Sequence, residues 1–379
     1  MKKKIAFFIG CYLPAKKYGG PVTSIYNVVD NLSDTYEFYI IASDHDLNET
    51  KRLPGIKEGW NKVGDAKVLY LKDSEFTKEK FTAVLNEIQA DMVYLSSVFS
   101  YKMNFPAIQA SRKLNIPMIF APRGELCEGA IRIKTFRKRL FIYFERLIRI
   151  FHGIYFHATS QEEEQGIIKY LKIDKNLMFN ISEMSCKVNL NNMRKKDGNT
   201  LKIIYMSRLV TKKNLLFAIQ QTAKCKADIV FDIYGPIEDE EYWNNCKSEL
   251  DKCPANVRAK YCGAVLPGES VKIFGNYNIL LLPTLSENYG HIIAEALSTG
   301  CHIIISKETT PWDDVDGKGG FALPLDDTKV WSETIDMIAS MTDAEYEKFN
   351  ALLREYVQNK LDNRKLKNSY IEMFTQVMG

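Results

Sequence analysis

The sequence lacks several signals, and each gap excludes a class of protein. No stretch approaches the roughly 18 uncharged apolar residues that a membrane-spanning helix needs. The opening Lys2-Lys3-Lys4 and the apolar residues after it imitate a secretion leader. That apolar run is too short, however, and Lys16 and Lys17 follow it without a small-residue cleavage site. An opening β-strand and a cytoplasmic location are expected instead. The eight cysteines (Cys11, Cys127, Cys186, Cys225, Cys246, Cys253, Cys262 and Cys301) form no Cys-x-x-Cys pair, and the five histidines do not cluster with them. Reduced, mostly buried thiols are therefore expected, and no metal site. The 51 basic and 47 acidic side chains nearly cancel to +4, which calls for no nucleic-acid partner. A Gly-x-Gly-x-x-Gly dinucleotide fingerprint is missing, which counts against a dehydrogenase.

What is present reads as a folded chain: 46% of residues are hydrophobic and 26% charged. At 379 residues it is too long for one ordinary domain, so two are expected. One pattern occurs twice. Ile5 to Ile9 is a short apolar run that ends in glycine and a loop, with a helical stretch from Ser24 onward. Ile203 to Met206 is a second such run, which ends in Ser207-Arg208 before a helix from about Leu215. Further strands are expected near Phe38–Ala42, Val68–Leu71, Met92–Leu95, Met118–Ala121 and Ile154–His157. In the second half they are expected near Ile229–Tyr234, Val257–Cys262, Ile279–Leu282 and His302–Ser306. Near-continuous apolar strands alternating with helices predict an α/β fold of two doubly wound parallel sheets.

The polar stretch Asn189–Thr200 marks the boundary. It separates a first domain (1–190) from a second (198–360), and a C-terminal helix (361–379) is expected to pack back on the first.

The most informative segment is Leu281–Gly300. A strand ends at Pro283, a polar loop holds Glu287, and a helix begins near Gly290 and stops at Gly300, which puts Glu295 about one turn inside it. Ligands of parallel sheets bind beyond the strand carboxyl ends, where this loop lies. Amides at Asn288, Tyr289 and Gly290, backed by the helix dipole, suit a phosphate. Each carboxylate suits a vicinal diol, one on a transferred sugar and one on a ribose.

With its flanking Pro283-Thr284-Leu285-Ser286 and Ala296-Leu297-Ser298-Thr299-Gly300, this segment resembles the Glu-x7-Glu signature of family 4 glycosyltransferases. The resemblance implies a GT-B fold, with two Rossmann-like domains facing each other across a donor-binding cleft. It also implies metal-independent, retaining transfer from a nucleotide-sugar, which is a substrate, so no cofactor is expected. Tyr205-Met206-Ser207-Arg208 and Lys213 resemble the family's donor-phosphate motif, in which an arginine precedes a lysine by five residues. Positioned cations can stabilise a departing diphosphate. Gly19 and Gly20 resemble the glycine pair that approaches the donor phosphate from the other domain. Tyr234-Gly235-Pro236 and Cys262-Gly263-Ala264-Val265 fall where the family shapes its nucleotide pocket, with backbone near Val265 meeting the base. Ala121-Pro122-Arg123-Gly124-Glu125 and His157-Ala158-Thr159-Ser160 resemble polysaccharide-building members, which places Arg123 on the acceptor side. One departure stands out: Ser96 occupies the position where the family often has a histidine.

Other segments have plainer readings. Asp44-His45-Asp46 imitates a metal-binding Asp-x-Asp, but a solvated loop is expected, as it is for Asp313 to Asp316. His291 reads as a helix-start residue and not a base. In Arg132–Phe151, the residues Leu140, Phe141, Phe144, Leu147, Ile148 and Phe151 share one helical face with basic residues around them. That face suits the core, and the basic side suits an anionic inner-membrane surface or a lipid-diphosphate acceptor. The implied activity is transfer of a sugar from a nucleoside-diphosphate donor to a glycan or polyprenyl-diphosphate-linked acceptor, as in surface polysaccharide biosynthesis. Arg208, Lys213 and Glu287 would be catalytic. An epimerase on a similar frame and a non-catalytic nucleotide-sugar or glycan binder are the alternatives.

Overall fold

The computed structural model describes the chain apart from residues 128–130, 132–141, 144–148, 192, 197, 199 and 267. It divides into two compact units, Met1–Met184 with Asn363–Gly379, and Ser185–Asp362. The polar stretch after residue 185 belongs to the second unit. The Asn189 amide donates to the Ser298 carbonyl at 2.8 Å, Leu190 is buried in that unit's core, and Lys196 Nζ reaches the Ala339 carbonyl at 2.5 Å.

The first unit is built on strands β1 (Lys3–Phe8), β2 (Tyr36–Ser43), β3 (Trp60–Val63), β4 (Ala66–Leu71), β5 (Met92–Ser96), β6 (Met118–Ala121), β7 (Tyr155–Ala158) and β8 (Met178–Asn180). Their order is β3-β4-β2-β1-β5-β6-β7-β8, with β3 antiparallel to β4 and every other pair parallel. Because side chains alternate along a strand, Ile5 and Phe7 enter one core while Ala6 and Phe8 enter another on the opposite face. The face of Ile5 and Phe7 is covered partly by the C-terminal helix Asn363–Met378, whose Tyr370, Met373, Phe374 and Val377 are buried there. Phe374 meets Tyr36 edge-on at 5.5 Å. The first helix runs Gly20–Leu32 and so starts earlier than the expected Ser24. Gly-Gly-Pro reads as a turn, but Pro21 sits at the first helical turn, where its missing N–H has no intrahelical partner to lose.

The second unit contains β9 (Thr200–Met206), β10 (Asp228–Tyr234), β11 (Val257–Gly263), β12 (Ile279–Leu282), β13 (His302–Ser306) and β14 (Gly320–Leu323). They form a wholly parallel sheet in the order β11-β10-β9-β12-β13-β14. Counted within the unit this is 3-2-1-4-5-6, the doubly wound order, and the strand direction of travel reverses between β9 and β12. The first unit has the corresponding reversal between β1 and β5. Each predicted strand is present, while β3, β8 and β14 were not predicted. All three are short edge strands, in which one-sided pairing leaves no long apolar run to read.

Among the described residues no helix is long and apolar enough to cross a membrane. Residues 132–141 and 144–148 of the basic amphipathic segment lie outside the described residues, and Phe151 at its end is buried in the first unit's core.

Candidate functional site

At the reversal between β9 and β12, Ser207, Arg208 and Lys213 lie on the connection after β9 and Glu287 to Gly290 on the loop after β12, beyond the strand carboxyl ends where doubly wound sheets take ligands. Ser207 and Arg208 follow β9 directly. A short turn, Thr211–Lys213, then leads into helix Leu215–Thr222. The Tyr205 hydroxyl, fully buried, donates to the Lys213 carbonyl at 3.0 Å and fixes that turn against the sheet. The loops after β9, β10 and β11 are stitched together. Ser207 N–H donates to the Tyr234 carbonyl at 3.1 Å, and Gly235 N–H to the Gly263 carbonyl at 2.9 Å. A Cβ on Gly235 would stand 1.7 Å from the Ser207 carbonyl oxygen, and its φ is +145°, so only glycine fits. Val265, half-buried, follows β11 on the same side of the sheet.

On the other side of the reversal, the Leu285 amide donates to the Lys212 carbonyl at 2.9 Å and the Glu287 amide to the Thr309 carbonyl at 2.8 Å. These bonds carry Glu287 onto Lys213, and the two side chains form an ion pair with 15% and 7% exposure, respectively. Burial draws the Lys213 ammonium below its ordinary pKa, the Glu287 charge opposes that, and Arg208 and Lys212 are near enough to lower it further. Arg208 pairs with Glu238 at 3.1 Å and is half exposed.

Asn288, Tyr289 and Gly290 complete the loop. Gly290, at φ +77°, precedes helix His291–Ser298, whose N-terminus no side chain caps. Trp312 braces this end by donating its indole N–H to the Tyr289 carbonyl at 2.5 Å. His291 is the first helical residue, as expected. Glu295 lies just over one turn in and is 6% exposed, with an oxygen 2.6 Å from the Ser270 hydroxyl that donates to it. Burial lifts its carboxyl to about 7, and the Ser270 bond only partly opposes this. Ser270, Glu238 and Thr309 carry no sequence signal, because they come from other segments, Ser270 from the helix Ser270–Phe274, and meet the motif only in space.

The first-unit candidates are less uniform. Gly19 has φ +65° and caps the first helix from the loop after β1, beside Gly20. That loop is held by Asp46, whose carboxylate accepts from the Lys16 amide at 2.7 Å and the Lys17 amide at 3.3 Å. Asp46 is buried, which corrects its reading as part of a solvated loop; its charge is spent on backbone amides. Among Asp313 to Asp316, Asp314 and Asp316 are exposed, in keeping with the expected solvated loop, and Asp314 accepts from Lys360 Nζ at 2.8 Å. Ser96 ends β5 at the first unit's reversal and is 1% exposed, with no hydrogen-bond partner for its hydroxyl among the described residues.

Arg123 is enclosed by the protein. Its side chain is 4% exposed, pairs with Glu183 at 2.6 Å and reaches the Tyr94 hydroxyl at 3.1 Å. A buried guanidinium needs such an anion, and the pair anchors the loop after β6. His157 shares the network, with Nδ1 2.6 Å from the Tyr94 hydroxyl. Burial, then the Arg123 charge, lowers its pKa to about 4. The cysteines are free thiols, and no group of three or more His, Cys, Asp or Glu among the described residues could hold a metal ion.

Residues 189–356 match the family described as Glycosyl transferases group 1, a stretch that nearly coincides with the second unit. No curated protein matches the sequence. Among solved structures, the whole chain is similar to HepE of Anabaena in complex with UDP and glucose. The two share 13% identity and a TM-score of 0.69, over 99% of this chain and 100% of that one. Sucrose-phosphate synthase of Thermosynechococcus elongatus is similar at 13% identity and TM-score 0.70, covering 99% of both chains. WaaG, a glycosyltransferase involved in lipopolysaccharide biosynthesis, is similar at 10% identity and TM-score 0.64, over 97% of this chain and 99% of that one. At such identities these likenesses carry the fold, and the sequence match extends over the second unit. The chain has the GT-B fold, and its second unit carries the match to the glycosyl transferases group 1 family.

Proposed function

We propose that the protein moves a hexose from a nucleoside-diphosphate donor to a hydroxyl of a glycan or lipid-linked oligosaccharide, with retention of configuration and without a metal. The observation that carries this reading is the Lys213–Glu287 pair with Arg208 beside it at the reversal point of a parallel sheet, and Glu295 in the helix that follows Glu287. Arg208 and Lys213 neutralise the diphosphate, Glu287 orients the transferred sugar, and Glu295 accepts from the ribose hydroxyls. The bond from the anomeric carbon to the diphosphate oxygen breaks as the acceptor oxygen bonds to that carbon on the same face. The acceptor's proton passes to the leaving phosphate, so no side-chain base is assigned. Cations in place of a metal lower the barrier because they are fixed before charge develops. The UDP and glucose held by HepE and the lipopolysaccharide role of WaaG support a sugar-nucleotide donor and a cell-surface glycan acceptor. A cytoplasmic site of action, at the inner face of the membrane, follows from such an acceptor.

Thermal-shift measurements against a panel of nucleotide-sugars, with and without EDTA, test the reading. Stabilisation by at least one donor, unchanged by EDTA, is expected. Binding that disappears on chelation would sink the metal-free part, and a panel without any binder would sink the donor site.

A further inference from the structure

Both cations of the donor-phosphate motif are already paired with carboxylates of the protein. Arg208 holds Glu238 at a half-exposed position, whereas Lys213 holds Glu287 with both side chains largely buried. We propose that Glu287 is an internal stand-in for the donor's diphosphate: it neutralises Lys213 in the empty site and is handed to the sugar only when a diphosphate displaces it. The inference rests on the proposed donor site and adds a coupling that a simple list of contacts does not contain.

Two observations and one physical argument carry it. An ammonium as buried as Lys213 needs an anion at all times, and Glu287 supplies that anion when no ligand does. Two anions on one ammonium in a partly dry site repel, so an arriving phosphate replaces the carboxylate and does not share the cation with it. Lastly, the backbone on both sides is fixed. The Lys213 amide donates to the Val210 carbonyl at 2.9 Å, and the Leu285 and Glu287 amides are tied as described. Partner exchange therefore needs only a rotation of the Glu287 side chain between staggered conformers, with no movement of the loop.

The coupling has a direction. A sugar without a diphosphate finds Glu287 occupied, so the sugar subsite opens only to a whole donor. After transfer, the same carboxylate competes with the product diphosphate for Lys213 and weakens its hold. Glu238 does the same for Arg208, but more weakly, because an exposed pair is worth little.

The test is calorimetric titration of wild type, Glu287→Gln and Glu238→Gln with UDP, GDP and ADP, beside turnover of the matching sugar donor. Removal of the competing charge should tighten nucleoside-diphosphate binding by about tenfold in Glu287→Gln and by less than about threefold in Glu238→Gln. Turnover by Glu287→Gln should fall, and a saturating diphosphate should raise its melting temperature more than that of wild type. A folded Glu287→Gln protein that binds the diphosphate no more tightly than wild type overturns the inference and leaves the donor site standing. If Glu287→Gln does not fold, Glu287→Asp is titrated: its carboxylate is retracted by one methylene, so tighter diphosphate binding is expected and unchanged binding overturns the proposal. If wild type binds none of the three nucleotides, the donor-site reading falls and the inference falls with it.

Discussion

Glu295→Gln separates what Glu295 does for binding from what it costs the fold. Burial lifts the carboxyl from 4.5 to about 7, so the folded protein holds this proton more tightly than the unfolded chain does. The sign follows from linkage. The favourable protonated state is fully present below about pH 4.5, is lost as pH rises through 7, and above that the buried carboxylate is a standing cost. A shift of this size corresponds to about 3 kcal/mol at pH 8, an upper figure because relaxation around the charge reduces it. Glutamine keeps a carbonyl oxygen to accept from Ser270, at 2.6 Å in the wild type, and cannot ionise. Glu295→Gln should therefore match wild type near pH 4.5 and become more stable by roughly 2–3 kcal/mol at pH 8. For a unit of this length that is a rise in melting temperature of several degrees. Calorimetric melts at intervals from pH 4.5 to 8 measure it directly. Nucleotide-sugar binding should move the other way, because a neutral amide is a weaker acceptor for ribose hydroxyls than a carboxylate. A melting-temperature difference that stays constant across this pH range would refute the reasoning, as would wild type gaining on the variant above pH 7.

Three further outcomes are expected. Arg208→Ala should lower turnover by roughly two to three orders of magnitude while leaving stability within about 1 kcal/mol, since the residue is half exposed; near-normal steady-state kinetics would remove its assigned role. Gly235→Ala forces a backbone shift at Ser207 and should cost several kcal/mol in urea unfolding, with loss of nucleotide binding; a stable variant that binds normally would contradict the close approach. Truncation after Asp362 removes the helix that buries Tyr370, Met373, Phe374 and Val377. Each such side chain is worth about 1.5–3 kcal/mol, so the first unit should become protease-sensitive and bind hydrophobic dyes, and a truncated chain that resists proteolysis as wild type does would count against that packing.

Much was legible in the sequence, for specific reasons. Fully buried parallel strands are apolar on both faces, so Ile203 to Met206 and Ile279 to Leu282 announce themselves as runs. Gly290 and Gly300 bracket a helix because each takes a positive φ. From those signals the doubly wound class and the position of Glu287 before its helix, with Glu295 inside it, follow directly. The sequence does not say which charges are spent on the protein itself. Asp46 read as part of a solvated loop, yet it is bound by amides of a neighbouring loop, and the sequence did not show that Arg123 pairs with Glu183, sixty residues away in the chain. The partners of Lys213, Arg208 and Glu295 come from two other loops and a helix, and no spacing within the chain pairs them. Local pattern depends on burial and backbone conformation, which nearby residues set. The state of a charge depends on whatever the fold brings within a few ångströms, and in this protein only the tertiary structure decided that.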